Sequence, residues 1–383
     1  MSIRIAIIAG ERSGDLLGAD LIAAIGRRLG EKPVLVGVGG PALASQGLVS
    51  LFDYSELSIM GVTAVLAKLP KLLWRIRQTA DAIIAARPDC LIIVDSPDFT
   101  HRVARRVRAA LPDVKIVNYV CPTVWAWKPE RAPAMRAYVD HVLSILPFEP
   151  EIVAALGGPP LTYVGHRLTA DTGLLAARAA QAERRSAISG KGRLCLLLPG
   201  SRGGEIKRLA ARLGKAAEIL RARDPSMRFV LPAAPGREDM VRAHVAAWTI
   251  PVEIVVGDAA KWQAFGAADV AIAASGTVLL ELALARIPVV SIYQIDLLAY
   301  LLVHKITTWS AALPNLIADR VVVPEYINSS LRPGIVARAA QQFAMPGVRR
   351  DTVLSDLDRV WELMQTERPP SELGADTVLS LLK

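Results

Sequence analysis

The run Leu198-Pro199-Gly200-Ser201-Arg202-Gly203-Gly204-Glu205 places a glycine turn, a hydroxyl and a guanidinium directly after an apolar stretch. If a helix starts there, its unpaired backbone N–H groups, the Ser201 hydroxyl and the Arg202 guanidinium together make a seat for a diphosphate. The plainer alternative is an ordinary helix start capped by Ser201. The run follows neither the GxGxxG nor the GxxxxGK[ST] pattern. A second start, Ala274-Ser275-Gly276-Thr277, is followed by Glu281 one helical turn further on. A carboxylate at that spacing could accept hydrogen bonds from the two hydroxyls of a ribose whose phosphates sit on Gly276 and Thr277. A first-turn glutamate that merely complements the helix dipole fits the spacing equally well.

The amino-terminal half carries a different set. Asp95 and Asp98 leave an apolar run in Val94-Asp95-Ser96-Pro97-Asp98-Phe99, at the point where a parallel strand would present groups to a ligand. Asp95 is the candidate general base for removing a sugar hydroxyl proton; Asp98 reads more simply as a helix-start acid. The turn Gly10-Glu11-Arg12-Ser13-Gly14-Asp15 follows the first apolar run and is the matching rim of this half, with Gly10, Glu11, Ser13, Gly14 and Asp15 as candidate acceptor-side residues. Trp125, in Cys121-Pro122-Thr123-Val124-Trp125-Ala126-Trp127, either walls a cleft or packs the core.

These residues need strands to carry them. Short Ile/Val/Leu runs at 3–9, 34–38, 90–94, 116–120 and 141–145, and again at 194–198, 229–231, 252–256, 270–273 and 289–292, alternate with helix-length stretches. That is the pattern of parallel strands buried on both faces. The expected fold is α/β, with two doubly wound Rossmann-like domains facing a central cleft and C-terminal helices packing back. The expected boundaries are 1–168 for the first domain, 169–345 for the second and 346–383 for a helical segment. Two glycine-rich rims across one cleft suit a two-substrate reaction.

The chain has 383 residues, 52% of them hydrophobic, with a net charge of +9, which excludes intrinsic disorder. No uncharged apolar run approaches the roughly 18 residues a membrane-spanning helix needs. No export signal is read, and Cys90, Cys121 and Cys195 lack a disulfide or metal spacing, so a reducing cytoplasm is expected. Aromatic residues make up only 5%, with no nucleic-acid-binding motif, so nucleic acid is not expected as a partner. Asp356-Leu357-Asp358 spells a DxD but lies in a helix-period segment, where solvated acids are the default. The stretch containing Met60, Val65, Leu66, Lys68, Leu69, Lys71, Leu72, Leu73 and Arg75 has apolar residues near helical spacing with basic ones beside them. It suits an anionic membrane surface or an acyl-chain groove, or simply a core-facing helix. Pro70 is expected to start or kink that helix.

Taken in order, AGERSGD, GVGGP, SIMGVTAVL, DSPDF, VWAWKP, LPFEP, VGH, LLPGSRGGEI, ASGTVLLE and LPNLIA resemble the lipid-A-disaccharide synthases, inverting glycosyltransferases of the two-Rossmann-domain (GT-B) type. The resemblance implies transfer of 2,3-diacylglucosamine from its UDP conjugate to the 6-hydroxyl of 2,3-diacylglucosamine 1-phosphate, forming a β-1,6 disaccharide 1-phosphate and UDP in lipid A biosynthesis. It implies that Asp95, Arg202 and Asn315 serve catalysis, and that Gly200, Ser201, Arg202, Ser275, Gly276, Thr277 and Glu281 hold the nucleotide. No cofactor and no metal are expected. The expected location is cytoplasmic, peripheral at the inner face of a Gram-negative-type inner membrane, with monomer and homodimer both open. Two other readings remain: another UDP-sugar transferase or epimerase on the same architecture, and a noncatalytic membrane-surface binding protein.

Overall fold

The computed structural model describes residues 3–57, 62–184, 192–295 and 306–383, and in 62–68 the backbone alone. The chain divides into two units, residues 1–167 with 366–383, and residues 168–365.

In the first unit the apolar runs form β1 (Arg4–Ala9), β2 (Val34–Val38), β3 (Cys90–Val94), β4 (Lys115–Tyr119), β5 (His141–Ser144) and β6 (Leu161–Tyr163), joined as one parallel sheet in the order β2-β1-β3-β4-β5-β6. Between them run α1 (Arg12–Leu29), α2 (Pro41–Ser45), α3 (Val62–Ala86), α4 (Pro97–Ala110), α5 (Arg131–Met135) and α6 (Glu149–Ala155). The strand side chains alternate between two cores. Ala6 and Ile8 join Leu91, Ile93 and the apolar stripe of α4 on one face, while Ile5 and Ile7 join Ile92 and α1 on the other. Each such side chain, fully buried, contributes roughly 1.5–3 kcal/mol. Helix α1 ends at Gly30, whose left-handed φ of 75° lets its N–H reach the Gly26 carbonyl. Helix α3 begins at Val62 and continues through Pro70, so this proline does not start it.

In the second unit, α7 (Thr172–Arg184) precedes β7 (Leu194–Leu198), α8 (Gly203–Arg223), β8 (Arg228–Ala233), α9 (Glu238–Val245), β9 (Glu253–Val256), α10 (Asp258–Ala267), β10 (Val270–Ala274), α11 (Val278–Leu284), β11 (Val289–Tyr293), α12 (Leu313–Ala318) and β12 (Glu325–Ile327). Helices α13 (Pro333–Ala344) and α14 (Val348–Met364) follow. The sheet order is β12-β11-β10-β7-β8-β9, the dinucleotide-binding order, in which the connections reverse direction between β7 and β10. In the first unit the reversal falls between β1 and β3. Both candidate sites named from the sequence follow these strands.

The segment 346–383 does not hold together as one piece. Helix α14 belongs to the second unit and α15 (Pro370–Leu381) to the first, where Glu372 pairs with Arg27 at 2.6 Å. The expectation of merely solvated acids in the DxD is corrected. Asp358 is bound by Arg286 at 2.8 Å and Arg178 at 2.7 Å, and Asp356 by Arg320, so both acids fasten α14 to its own unit.

Candidate functional site

At the end of β7 the chain turns at Gly200, whose φ of 105° lies in the left-handed region and whose missing Cβ would sit 2.5 Å from Glu205 Oε2. Only glycine fits both demands. Helix α8 then begins with Arg202, not Ser201, as its N-cap, which corrects the capping alternative. The buried Glu205 carboxylate accepts the Arg202 backbone N–H at 3.4 Å and its guanidinium at 3.1 Å. The Arg202 side chain is 59% exposed, so it is oriented by Glu205 while remaining open to a ligand. Gly200, Ser201 and Arg202 line a cavity of about 380 Å³, together with Ser275, Gly276 and Thr277 from the turn after β10.

That second turn is anchored from behind. Ser275 donates its N–H to the Ile292 carbonyl at 3.0 Å and its hydroxyl to the Ala311 carbonyl at 3.5 Å. Gly276 and Thr277 are exposed, and a Cβ built on Gly276 would meet none of the described residues beyond its chain neighbours within 4 Å. Glu281 lines the same cavity and is bound by Lys261 of α10, with Nζ 3.2 Å from Oε2. Burial raises the Glu281 pKa and the Lys261 charge opposes that rise. Lys261 also sits 3.9 Å above the Trp262 ring. Sequence reasoning missed Lys261, because it stands on a separate helix and no spacing links it to Glu281. A glycine turn with an oriented arginine, and a carboxylate held one turn behind a second open turn, suit a nucleoside diphosphate.

Asn315 is corrected. It is 1% exposed, its amide donates to Ser310 Oγ and the Val323 carbonyl, and its carbonyl accepts from the N–H groups of Val322 and Val323 at 2.8 and 2.7 Å. Its hydrogen-bonding capacity is taken up in fixing the loop after α12, so it has none to orient a sugar or phosphate.

In the first unit Asp95 and Ser96 follow β3 with φ of 50° and 48°, a sharp left-handed bend that non-glycine residues rarely adopt. The bend is held by Asp95 Oδ1, which accepts the Ser96 N–H at 2.7 Å, by the Thr100 hydroxyl on the Asp95 carbonyl, and by the Asp95 N–H on the Tyr119 carbonyl. Asp95 is half-buried at the carboxyl end of the sheet. Asp98 is 86% exposed on the first turn of α4, with Arg131 at 3.7 Å. Gly10 lies against Ser96, where a Cβ would clash at 2.5 Å from Oγ, and Gly14 packs on Val94. Glu11 is the N-cap of α1 and Ser13 is exposed. Asp15 is a second correction. It is 2% exposed and accepts the backbone N–H groups of Gly40, Ala42 and Leu43 at 2.7, 2.8 and 3.1 Å, capping α2 rather than facing a ligand.

Trp125 is half-buried, stacked edge-on with Phe148 at 5.2 Å, and its indole N–H donates to Glu149 Oε1 at 3.1 Å. Glu149 is a further residue the sequence reading did not single out. It is 1% exposed and also accepts the Ser144 hydroxyl at 2.7 Å and the Leu146 N–H at 3.3 Å. Burial pushes its pKa up to about 7 against those hydrogen bonds. Among the described residues, no group of three or more His, Cys, Asp or Glu side chains could hold a metal ion.

Residues 5–358 match the lipid-A-disaccharide synthetase family. The lipid-A-disaccharide synthase of Rhodopseudomonas palustris is 48% identical over 99% of this chain and 96% of its own length. This chain belongs to the lipid-A-disaccharide synthetase family. Solved structures share the fold at low identity. The glycosyltransferase of kitacinnamycin superposes with a TM-score of 0.64 at 14% identity, covering 100% of both chains. The UDP-GlcNAc 2-epimerase of Methanocaldococcus jannaschii, solved with UDP-GlcNAc and UDP, does so with 0.60 at 10% identity, covering 99% of each.

For a family named after a lipid, the residues marked for membrane or acyl contact matter. Met60 and the side chains of Val65, Leu66 and Lys68 lie outside the described residues. Leu69 and Leu72 are half-buried, and Leu72 packs against the core of its unit. Lys71 and Arg75 both bind Glu56, at 3.2 and 2.9 Å, and Arg75 also lies 4.3 Å over Phe52. These two cations are therefore engaged within the protein. Among the described side chains of α3, the large apolar ones left exposed are Leu73 at 46% and Trp74 at 54%. No described helix is long and apolar enough to cross a membrane.

Proposed function

We infer that the chain is a UDP-dependent hexosyltransferase of lipid A assembly. It moves 2,3-diacylglucosamine from its UDP conjugate to the 6-hydroxyl of 2,3-diacylglucosamine 1-phosphate and releases UDP. The observation that carries the donor side is the cavity at the β7/β10 reversal, where Arg202 is oriented by Glu205 opposite the open turn at Gly276. An inverting displacement needs a base at the acceptor hydroxyl and positive charge on the departing diphosphate. Asp95 takes the proton of the acceptor hydroxyl, while Arg202 and the first turn of α8 stabilise charge growing on the β-phosphate. Gly276 and Thr277 contact phosphate oxygens, and Glu281 accepts hydrogen bonds from the ribose hydroxyls. The products leave as the disaccharide 1-phosphate and UDP.

Because both sugar substrates carry acyl chains, the enzyme works at a lipid surface. The exposed pair Leu73 and Trp74 supports peripheral contact through α3 at the cytoplasmic face of the inner membrane. The test is UDP release from UDP-2,3-diacylglucosamine with and without 2,3-diacylglucosamine 1-phosphate, in detergent containing EDTA. Acceptor-dependent release with a tetraacyl disaccharide product is expected. Efficient turnover of unacylated UDP-N-acetylglucosamine, or vesicle binding with no UDP release from any donor, would overturn this reading.

A further inference from the structure

We propose that Lys261 is a positioning residue for nucleotide recognition: it fixes the Glu281 carboxylate, in its charged form, where that carboxylate reads the ribose diol. The inference rests on the nucleotide reading of the cavity and goes beyond it by assigning the residue that holds the carboxylate for the diol contact.

The two side chains come from different helices, Lys261 from α10 and Glu281 from α11, and both line the cavity. Lys261 Nζ lies 3.2 Å from Glu281 Oε2, and its ammonium group is 3.9 Å from the Trp262 ring centroid and 5.9 Å from that of Phe265. The lysine is thus held from two directions, by a carboxylate and by aromatic faces, with 23% of its side chain exposed. The recorded ion pair uses Oε2 of Glu281, and a carboxylate has lone pairs left for two ribose hydroxyls.

The electrostatics around Glu281 explain why a lysine is needed. Burial favours the neutral acid, and Asp171, just before α7, and Asp258, at the start of α10, push in the same direction. Lys261 is the cation that opposes all three influences. Without it the carboxyl would take up a proton at higher pH. A neutral carboxyl accepts the two ribose hydroxyls less well than a carboxylate does. Lys261 therefore acts through Glu281, and its removal should raise the pH at which ribose recognition is lost.

The test compares UDP with 2′-deoxy-UDP by titration calorimetry at about pH 6 and about pH 8, with folding checked by circular dichroism. At about pH 8 the wild-type protein is expected to favour UDP about tenfold, the discrimination a hydrogen bond to a charged group supplies. Glu281→Gln should bind both nucleotides with little preference at either pH. As pH falls, Lys261→Met should lose the preference at a higher pH than the wild-type protein does, and Lys261→Arg should restore the wild-type profile. Should Lys261→Met unfold, Lys261→Gln replaces it. A Lys261→Met protein whose preference follows pH as the wild-type protein's does overturns the role of Lys261 while leaving the nucleotide site standing. Loss of preference in Lys261→Met that Lys261→Arg does not restore makes the lysine a direct ligand and overturns the positioning role. Full discrimination in Glu281→Gln overturns the diol reading itself, and absence of UDP binding to the wild-type protein overturns the nucleotide reading.

Discussion

β1 runs into Gly10-Glu11-Arg12-Ser13-Gly14-Asp15, and β7 runs into Gly200-Ser201-Arg202-Gly203-Gly204-Glu205. Each turn has a glycine after the strand, polar residues, a second glycine and an acid in the first turn of a helix. In the second turn the acid folds back on its own turn: Glu205 binds the backbone and guanidinium of Arg202, and Gly200, Ser201 and Arg202 line a cavity. In the first turn the acid reaches away. Asp15 caps α2, Ser96 stands against Gly10, and Val94 packs on Gly14. One glycine turn is kept open and the other is packed by its own unit. What separates them is the partner of the acid, not the pattern of the turn.

The largest effects should come from the residues that stay available for chemistry. Arg202→Ala is expected to lower kcat by about 10²–10³, the usual cost of losing one donor to a developing oxyanion, with the fold kept and only a small drop in thermal midpoint. The arginine side chain is 59% exposed, and Glu205 loses its guanidinium partner but keeps the backbone N–H of residue 202. Near-wild-type turnover would show that the open turn is not the leaving-group site. Asp95→Asn, in the first unit, should keep UDP affinity and lose turnover. Weakened UDP binding with unchanged kcat would move Asp95 out of catalysis.

Asp15→Ala tests the packed turn. Three backbone N–H groups at the start of α2 lose their acceptor, two of them in bonds that are buried. Unfolding in urea should show a loss of about 2–4 kcal/mol in the first unit. UDP affinity should not change, since the nucleotide cavity belongs to the second unit. An Asp15 variant of wild-type stability with altered acceptor KM would return this residue to the acceptor side.

How far the sequence could be read depended on the length of the signal and on where each polar group found its partner. The ten apolar runs became strands, nine of them because four or more predominantly apolar residues stand between turn residues, and the short run 229–231 as the centre of the longer β8. The three-residue strands β6 and β12 pair at their sheet edges through too few residues to leave a pattern. The turn at Gly200 and the helix that starts after Arg202 were legible because they follow from local order, a glycine turn followed by a helix. Asp15, Asn315, Glu149 and Lys261 were not legible. Asp15 meets Gly40, Trp125 meets Glu149, and Lys261 meets Glu281 across separations of 25, 24 and 20 residues that only the fold closes.

Glu149 extends the comparison to a third acid, buried behind the Trp125 loop. Its carboxyl is pushed up to about 7 from an ordinary value of 4.5, so between those values the folded protein holds a proton that the unfolded chain releases. Stability from this group is therefore fully present at low pH and is lost as pH rises through about 7. Relative to Glu149→Gln, which cannot titrate there, the wild-type protein should lose on the order of 2–3 kcal/mol between mildly acidic and mildly alkaline buffer. Parallel pH profiles in urea denaturation would show that Glu149 does not take up that proton.

The mildest test separates the two glycines of the nucleotide cavity. Gly200 has internal reasons to be glycine, its left-handed φ of 105° and the Glu205 oxygen 2.5 Å from where a Cβ would stand. Gly276 has neither: among the described residues beyond its chain neighbours, none lies within 4 Å of its missing Cβ. Gly200→Ala should therefore destabilise the fold as well as weaken UDP, because the turn and the Glu205 contact must both shift. Gly276→Ala should melt like the wild-type protein and weaken UDP about tenfold, or ~1.4 kcal/mol, because only a ligand approaching the backbone meets the added methyl. If Gly276→Ala binds UDP as tightly as wild type, the phosphates do not pass over the β10 turn, and Arg202 with the start of α8 must hold them alone.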